Sequence, residues 1–273
     1  MSWCSIATAN FSDNPVREPP RLLILGGTTE ARELAEHLSA RHGKGLEVMS
    51  AQAGRTRAPL AIAGKLRRGG FGGAAGLAKF LAHAGIDAVV DCTHPFALTM
   101  KAHAQIATMA KDVKFLALHR PDWPRNAQDD WIEVDDVAGA VAALAPLGTR
   151  IFLTLGQRDL DAFATLSSRF FLVRLIEPPA TFPFAEGELL LNRGPFTLDG
   201  ELALMRRARI DVLVTKASGG AATFAKIEAA RELRLPVVMI RRRQPPDVPS
   251  VDSVAAAATW VESTLGLAGP GVA

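Results

Sequence analysis

Short apolar runs alternate with stretches of helical periodicity along most of the chain, an alternation that predicts parallel β-strands interleaved with α-helices. Leu22-Leu23-Ile24-Leu25 predicts a first strand, and Leu34, Ala35 and Leu38 share one face of a helix predicted over residues 29–41. Residues 46–50 predict a second strand, and the glycine-rich region holding 60–63 and 69–73 a short third strand and its loop. A helix over 74–84, a buried strand over 86–91, a helix over 97–111 and a strand over 114–118 complete a first set. Pro121-Asp122-Trp123-Pro124 then breaks the pattern and places a linker near 120–133. Beyond it the alternation restarts. Helices are predicted over 134–144, 160–166, 200–207, 223–234 and 251–265, with strands over 151–155, 170–175, 210–215 and 236–240. The fold class is therefore α/β, two units that each hold a mainly parallel sheet flanked by helices, assigned to 21–130 and 131–273.

Composition narrows the class further. A chain of 273 residues suits two domains of ordinary size, and 48% apolar with 22% charged residues is the balance of a globular protein. No apolar run approaches the ~18 residues that span a bilayer. Residues 1–20 carry Asp13, Arg17, Glu18 and Pro19-Pro20 without the pattern of a secretion signal, so they are expected to be a loose tail on a cytoplasmic protein. Cys4 and Cys92 are far apart and lack metal-ligand spacing, so neither a disulfide framework nor a metal site is expected. The net charge of +3 comes with scattered arginines and only 6% aromatic residues, which excludes a nucleic-acid motif and favours a small anionic ligand. The chain contains no tyrosine, so the Tyr-Lys carbonyl chemistry of many short-chain reductases is excluded.

In open parallel sheets ligands bind beyond the carboxyl ends of the strands, which makes the loops there the candidates. Gly26-Gly27-Thr28-Thr29-Glu30 ends the first strand and opens a helix, the arrangement that offers backbone N–H groups and a positive dipole end to a phosphate. Thr28 and Ala31 stand where the full dinucleotide fingerprint has glycines, so an ordinary packing turn is the competing reading. The second strand ends without the acid that binds the ribose of NAD. Ser50, Arg55 and Arg57 follow instead, a hydroxyl and two cations suited to the 2′-phosphate of NADP. Thr93-His94-Pro95-Phe96 follows another buried strand and reads either as cofactor site or as helix cap. Gly156-Gln157-Arg158-Asp159 reads either as an anion site or as an N-cap turn. Lys216-Ala217-Ser218-Gly219-Gly220 combines a cation with free backbone N–H groups, and Arg241-Arg242-Arg243 is either a solvated charge run or a carboxylate site.

In this order the motifs resemble the precorrin-6A reductase family of corrin-ring biosynthesis over roughly residues 21–265. The resemblance is carried by Leu25 to Ala31, by Asp91-Cys92-Thr93-His94-Pro95-Phe96-Ala97, by Gly194-Pro195-Phe196-Thr197, and by Lys216 to Gly220 with Lys226 to Arg231. Cys92, Ala217 and the unmatched head depart from the family pattern. The resemblance implies two Rossmann-like domains with a cleft between them, the first holding NADPH and the second a polycarboxylate tetrapyrrole. It implies hydride transfer to a ring D double bond of precorrin-6A, giving precorrin-6B, with neighbouring enzymes of the cobalamin pathway as partners. Cofactor contacts then fall to Gly26, Gly27, Thr28, Thr29, Glu30, Ser50, Arg55, Arg57, Thr93 and His94. Substrate contacts fall to Gly156, Arg158, Lys216, Ser218, Gly219 and Gly220, and Lys216, His94 or water donates the proton. A cobalt-precorrin reductase using NADH, a nucleotide-sugar or small-carbonyl reductase, and a non-catalytic NADP sensor remain the alternatives.

Overall fold

The computed structural model describes residues 19–52, 61–243 and 247–267, so Cys4, Arg55, Arg57, Leu60 and most of the expected tail lie outside the described residues. The elements run β1 (Arg21–Leu25), α1 (Thr29–His42), β2 (Glu47–Gln52), β3 (Lys65–Arg68), α2 (Gly73–Ala84), β4 (Ala88–Asp91), α3 (Leu98–Lys111) and β5 (Lys114–Leu118). There follow β6 (Trp131–Val134), α4 (Val137–Ala143), β7 (Arg150–Leu153), β8 (Phe170–Leu175), β9 (Gly187–Leu191), α5 (Leu198–Arg207), β10 (Val212–Lys216), α6 (Ala225–Glu232), β11 (Val237–Ile240), β12 (Ser250–Val251) and α7 (Val254–Leu265).

Two sheets form, ordered β3-β2-β1-β4-β5-β12 and β9-β8-β7-β10-β11-β6, and every described pairing is parallel. The first sheet starts at its centre with β1, winds outward to β3, then reverses through β4 and β5; the second starts at its edge with β6, runs from central β7 outward to β9, then reverses through β10 and β11 to meet β6. The reversal leaves a crevice between β1 and β4 in one sheet and between β7 and β10 in the other. Central strands are apolar throughout because both faces are covered. Leu22 and Ile24 of β1 face the core under α1 and α7, while Leu23 and Leu25 face the core under α2 and α3. In the second sheet Ile151 and Leu153 pack toward α4, and Phe152 toward α5 and α6.

Several elements depart from the expected pattern, each for a local reason. The third strand is Lys65–Arg68, an edge strand on which Lys65 and Arg68 are exposed while Arg67 lies over the Phe71 ring. β6 occupies the end of the expected linker, and α4 begins only after Asp136, whose carboxylate accepts from Gly139 N at 2.8 Å. Residues 157–165 form a 3-10 helix rather than an α-helix. β9 carries no apolar alternation and is half exposed at its sheet edge.

The largest correction concerns the end of the chain, which was assigned with 131–273. β12 pairs with β5, and Ala257, Ala258 and Val261 of α7 are buried beside Leu34, Leu38 and Val90. Residues 250–265 therefore belong with the first sheet, whose outer face α1 alone leaves partly uncovered. Among the described residues no helix is long and apolar enough to cross a membrane.

Candidate active site

The first crevice is built by two loops tied to each other. Gly26 allows α1 to sit hard against β1, because an added Cβ would lie 2.6 Å from the Cβ of Ala31. Gly27 then turns the chain at φ +117, a conformation that L side chains rarely adopt. Thr28 caps α1: its Oγ1 accepts from Ala31 N at 3.2 Å and donates to the carbonyl of Cys92 at 2.8 Å. The threonine that interrupts the glycine fingerprint thus links the ends of β1 and β4. Asp91, at the end of β4, accepts from Thr93 N at 2.9 Å and from Lys101 Nζ at 3.1 Å. Both charges are buried, so this pair fixes the 92–96 loop on α3. Burial and the neighbouring Asp91 raise the Cys92 thiol above its ordinary range, leaving it an inert core side chain.

In the second crevice Lys216 ends β10 and donates to Asp159, from the loop after β7, at 2.6 Å. Its ammonium also stands 5.3 Å from the ring centroid of Phe96, a first-sheet residue packed against the second-sheet core. The two crevices therefore face one another. Gly219 and Gly220 turn at φ +65 and +79, and Ser218 is buried. Trp123 Nε1 donates to the carbonyl of Gly220 at 2.8 Å, and Arg242 donates to the carbonyls of Ala217 and Arg120 at 3.3 and 2.9 Å. Arg120, just past β5, bonds Glu30 at 2.8 Å.

His94 has an exposed ring edge but is crowded by protein and by Arg120, Lys216, Arg242 and Lys101, which together push its pKa down to about 3. Its Nδ1 accepts from Phe96 N at 3.3 Å, so the remaining ring proton sits on Nε2. Besides burial, four cations from distant segments converge on this candidate proton donor. At neutral pH His94 offers a hydrogen bond and is no imidazolium acid.

Beneath the second crevice lies a buried charged cluster. Arg174 makes a bidentate pair with Glu201, Nη1 to Oε1 at 2.8 Å and Nη2 to Oε2 at 3.0 Å. Lys226 donates to the carbonyl of Thr223 at 2.9 Å and lies 4.6 Å from the Trp123 ring centroid. Burial, aided by Arg174 and opposed by Glu201, lowers its pKa to about 7. The folded protein thus binds fewer protons than the unfolded chain from about pH 7 up to the ordinary lysine range, so stability rises with pH across that interval. At lower pH the penalty of the buried charge is fully present. Lys226→Met is expected to flatten this rise in urea unfolding measured at pH 6, 8 and 10; parallel stability curves for the two proteins would contradict it.

The structure brings Gly26, Gly27, Thr28, Thr29, Glu30, Thr93 and His94 to one crevice, and Gly156, Lys216, Ser218, Gly219 and Gly220 to the other. Arg158 is exposed beside Gly156. Ser50 is fully buried in β2 with its hydroxyl unpartnered among the described residues. Arg241 pairs with Asp135, and Arg242 is taken up by the interior contacts above. Sequence reading passed over Arg120, Asp159 as the partner of Lys216, and Lys101. Arg120 follows a strand end, so the rule that singled out the other loops also points to it. A dinucleotide fits the first crevice on three observations: the open space beside the Gly27 turn, the capped start of α1, and the buried, unpartnered Thr93 Oγ1.

Two parallel sheets flanked by helices, with facing crevices of which one opens on a helix start and the other is rich in cations, define a two-sheet α/β scaffold. The chain belongs to the precorrin-6x reductase family, since the model described as "Precorrin-6x reductase CbiJ/CobK" matches residues 21–262. It is 48% identical over 242 residues to a precorrin-6A reductase of Rhodococcus erythropolis, covering 88% of this chain and 97% of that one. It is 43% identical over 243 residues to the precorrin-6A reductase of Mycobacterium tuberculosis, with 88% and 97% covered. A cobalt-precorrin-6A reductase of Salmonella typhimurium is 27% identical over 233 residues, with 82% and 88% covered. Among solved structures, "CobK precorrin-6A reductase" superposes with a TM-score of 0.86 at 39% identity, covering 93% of this chain and all of that one. Membership makes the protein an oxidoreductase of cobalamin biosynthesis with a tetrapyrrole substrate.

Proposed function

We propose that the protein reduces one ring D double bond of precorrin-6A to give precorrin-6B, with NADPH as the hydride source. The observation that carries this reading is the meeting of the two crevices at Lys216, which touches both the second-sheet Asp159 and the first-sheet Phe96. The relatives at 43–48% identity are named precorrin-6A reductase and those at 25–27% cobalt-precorrin-6A reductase, which favours the metal-free substrate.

In this reading a bound nicotinamide supplies hydride, and the chain's own residues do the rest. Backbone N–H groups at Gly27, Thr28 and Thr29 receive the diphosphate and Arg55 and Arg57 the 2′-phosphate, whereas Ser50, expected to join them, is sealed inside β2 and out of reach of a ligand. Arg158, Lys216 and the N–H groups of Ser218, Gly219 and Gly220 hold carboxylates of the macrocycle. Fixing both ligands across one cleft replaces an encounter by a positioned reaction, the larger part of the rate. Lys216 carries protons in reach of the cleft and is the acid favoured here; a neutral His94 serves better to orient a ligand.

The test mixes the protein with precorrin-6A and each nicotinamide in turn and follows absorbance at the nicotinamide band. NADPH is expected to be consumed faster than NADH, and the reverse order would overturn the cofactor assignment in favour of the NADH-dependent alternative. Lys216→Ala is expected to lower kcat at saturating substrate by ~100-fold or more, the scale of a general acid. An unchanged kcat in both Lys216→Ala and His94→Ala would instead make water the proton source.

A further inference from the structure

We propose that Arg120 is the diphosphate ligand of the first crevice, and that Glu30 is the anion that holds its place until the dinucleotide arrives rather than a cofactor contact. This rests on the dinucleotide reading above. Glu30 lies in the first turn of α1, where a carboxylate occupies the same positive dipole end that a diphosphate would use. It bonds the Arg120 guanidinium at 2.8 Å in a mostly buried pair, with 15% and 21% of the two side chains exposed. A diphosphate brought to that helix start meets a like charge and, directly behind it, a planar fork of donors matched to its oxygens.

A second observation points the same way. The crevice holding Glu30 and Arg120 is lined also by Cys92, Thr93 and His119. Thr93 is nine-tenths buried with its Oγ1 unpartnered, and His119 Nε2 is unpartnered as well. Both leave polar atoms without a partner beside the Glu30–Arg120 pair. Lys101, Lys216 and Arg242 are paired with carboxylates in the same way, by Asp91, Asp159 and Asp122, but of these anions only Glu30 lies in the first turn of α1. Burial lowers the pKa of Arg120 while Glu30 opposes the shift, so this guanidinium depends on a neighbouring anion. A diphosphate supplies that anion with more charge and two more geometries of approach.

The experiment titrates the full chain with NADPH, following nicotinamide fluorescence, and in parallel with ADP, adenosine and uroporphyrin III. Glu30→Gln is expected to tighten NADPH and ADP by about 3- to 10-fold, removing a competitor and a like charge at the helix start. Adenosine, without phosphate, is expected to be indifferent. Arg120→Met is expected to weaken NADPH by about 10- to 100-fold, the scale of a charge-assisted contact, with Arg120→Lys in between. Weaker or unchanged NADPH binding in Glu30→Gln overturns the proposal, and so does an effect seen with uroporphyrin III alone. The Glu30→Gln arm decides the matter even where Arg120→Met does not fold. Failure of the unaltered protein to bind either dinucleotide would sink the parent reading as well, which separates the two failures.

Discussion

Gly219→Ala is expected to lower kcat/KM for precorrin-6A reduction by about 100-fold or more while the protein remains folded. At φ +65 an alanine is strained, and its Cβ would overlap the carbonyl oxygen of Pro121 and lie 2.7 Å from Arg242 Nη2. Pro121 is backbone and cannot swing away, so the turn itself must move. A shift of about 1 Å in a substrate-positioning segment is enough for a loss of ~100-fold. Gly220→Ala, strained too at φ +79, provides the contrast: its Cβ would meet only side-chain atoms, Arg120 Cδ at 3.1 Å, Nη1 at 3.2 Å and Glu30 Oε1 at 3.3 Å, with no backbone oxygen in its way. Steady-state kinetics on the two soluble variants should rank Gly219→Ala well below Gly220→Ala. Wild-type kcat/KM in Gly219→Ala would remove the turn from the substrate site.

Lys101→Met is expected to be the most damaging of the stability variants, lowering the melting temperature by roughly 10 °C. It leaves the buried Asp91 carboxylate with only the Thr93 N–H, and breaking one side of a buried ion pair costs about 3–5 kcal/mol. At about 2–4 °C per kcal/mol for chains somewhat shorter than this one, that loss corresponds to the stated shift. The double variant Asp91→Asn with Lys101→Met should recover part of it, since no charge is then stranded. Calorimetry decides: a single-variant melting temperature within about 2 °C of the parent would show that the pair contributes little.

Much of the central architecture was legible because interior parallel strands are buried on both faces. Leu22 to Leu25 and Val212 to Val214 are apolar for that reason, and the loops at their carboxyl ends stand out by glycine and charge. The edges were not legible. β3 reads Lys-Leu-Arg-Arg because most of its side chains meet water, and β12 is only two residues long, with Val251 alone packing on the first-sheet core. No pattern in residues 250–265 says which sheet they will cover. In the site, Lys101 reads as one more helix lysine until folding seals it beside Asp91. The lowered pKa of His94 comes from burial and from four cations drawn from four separate segments, which no local window contains. Thr28 is the instructive intermediate case: it breaks the fingerprint in sequence, and in space it supplies the cap and the bridge to Cys92.

The return of the chain to its first sheet has a mechanical consequence. Because β12 and α7 rejoin the first sheet, the backbone passes between the halves twice, once between β5 and β6 and once between β11 and β12. Two covalent crossings restrain relative motion of the halves more than one would, so chain connectivity as well as packing keeps Lys216 close to Phe96.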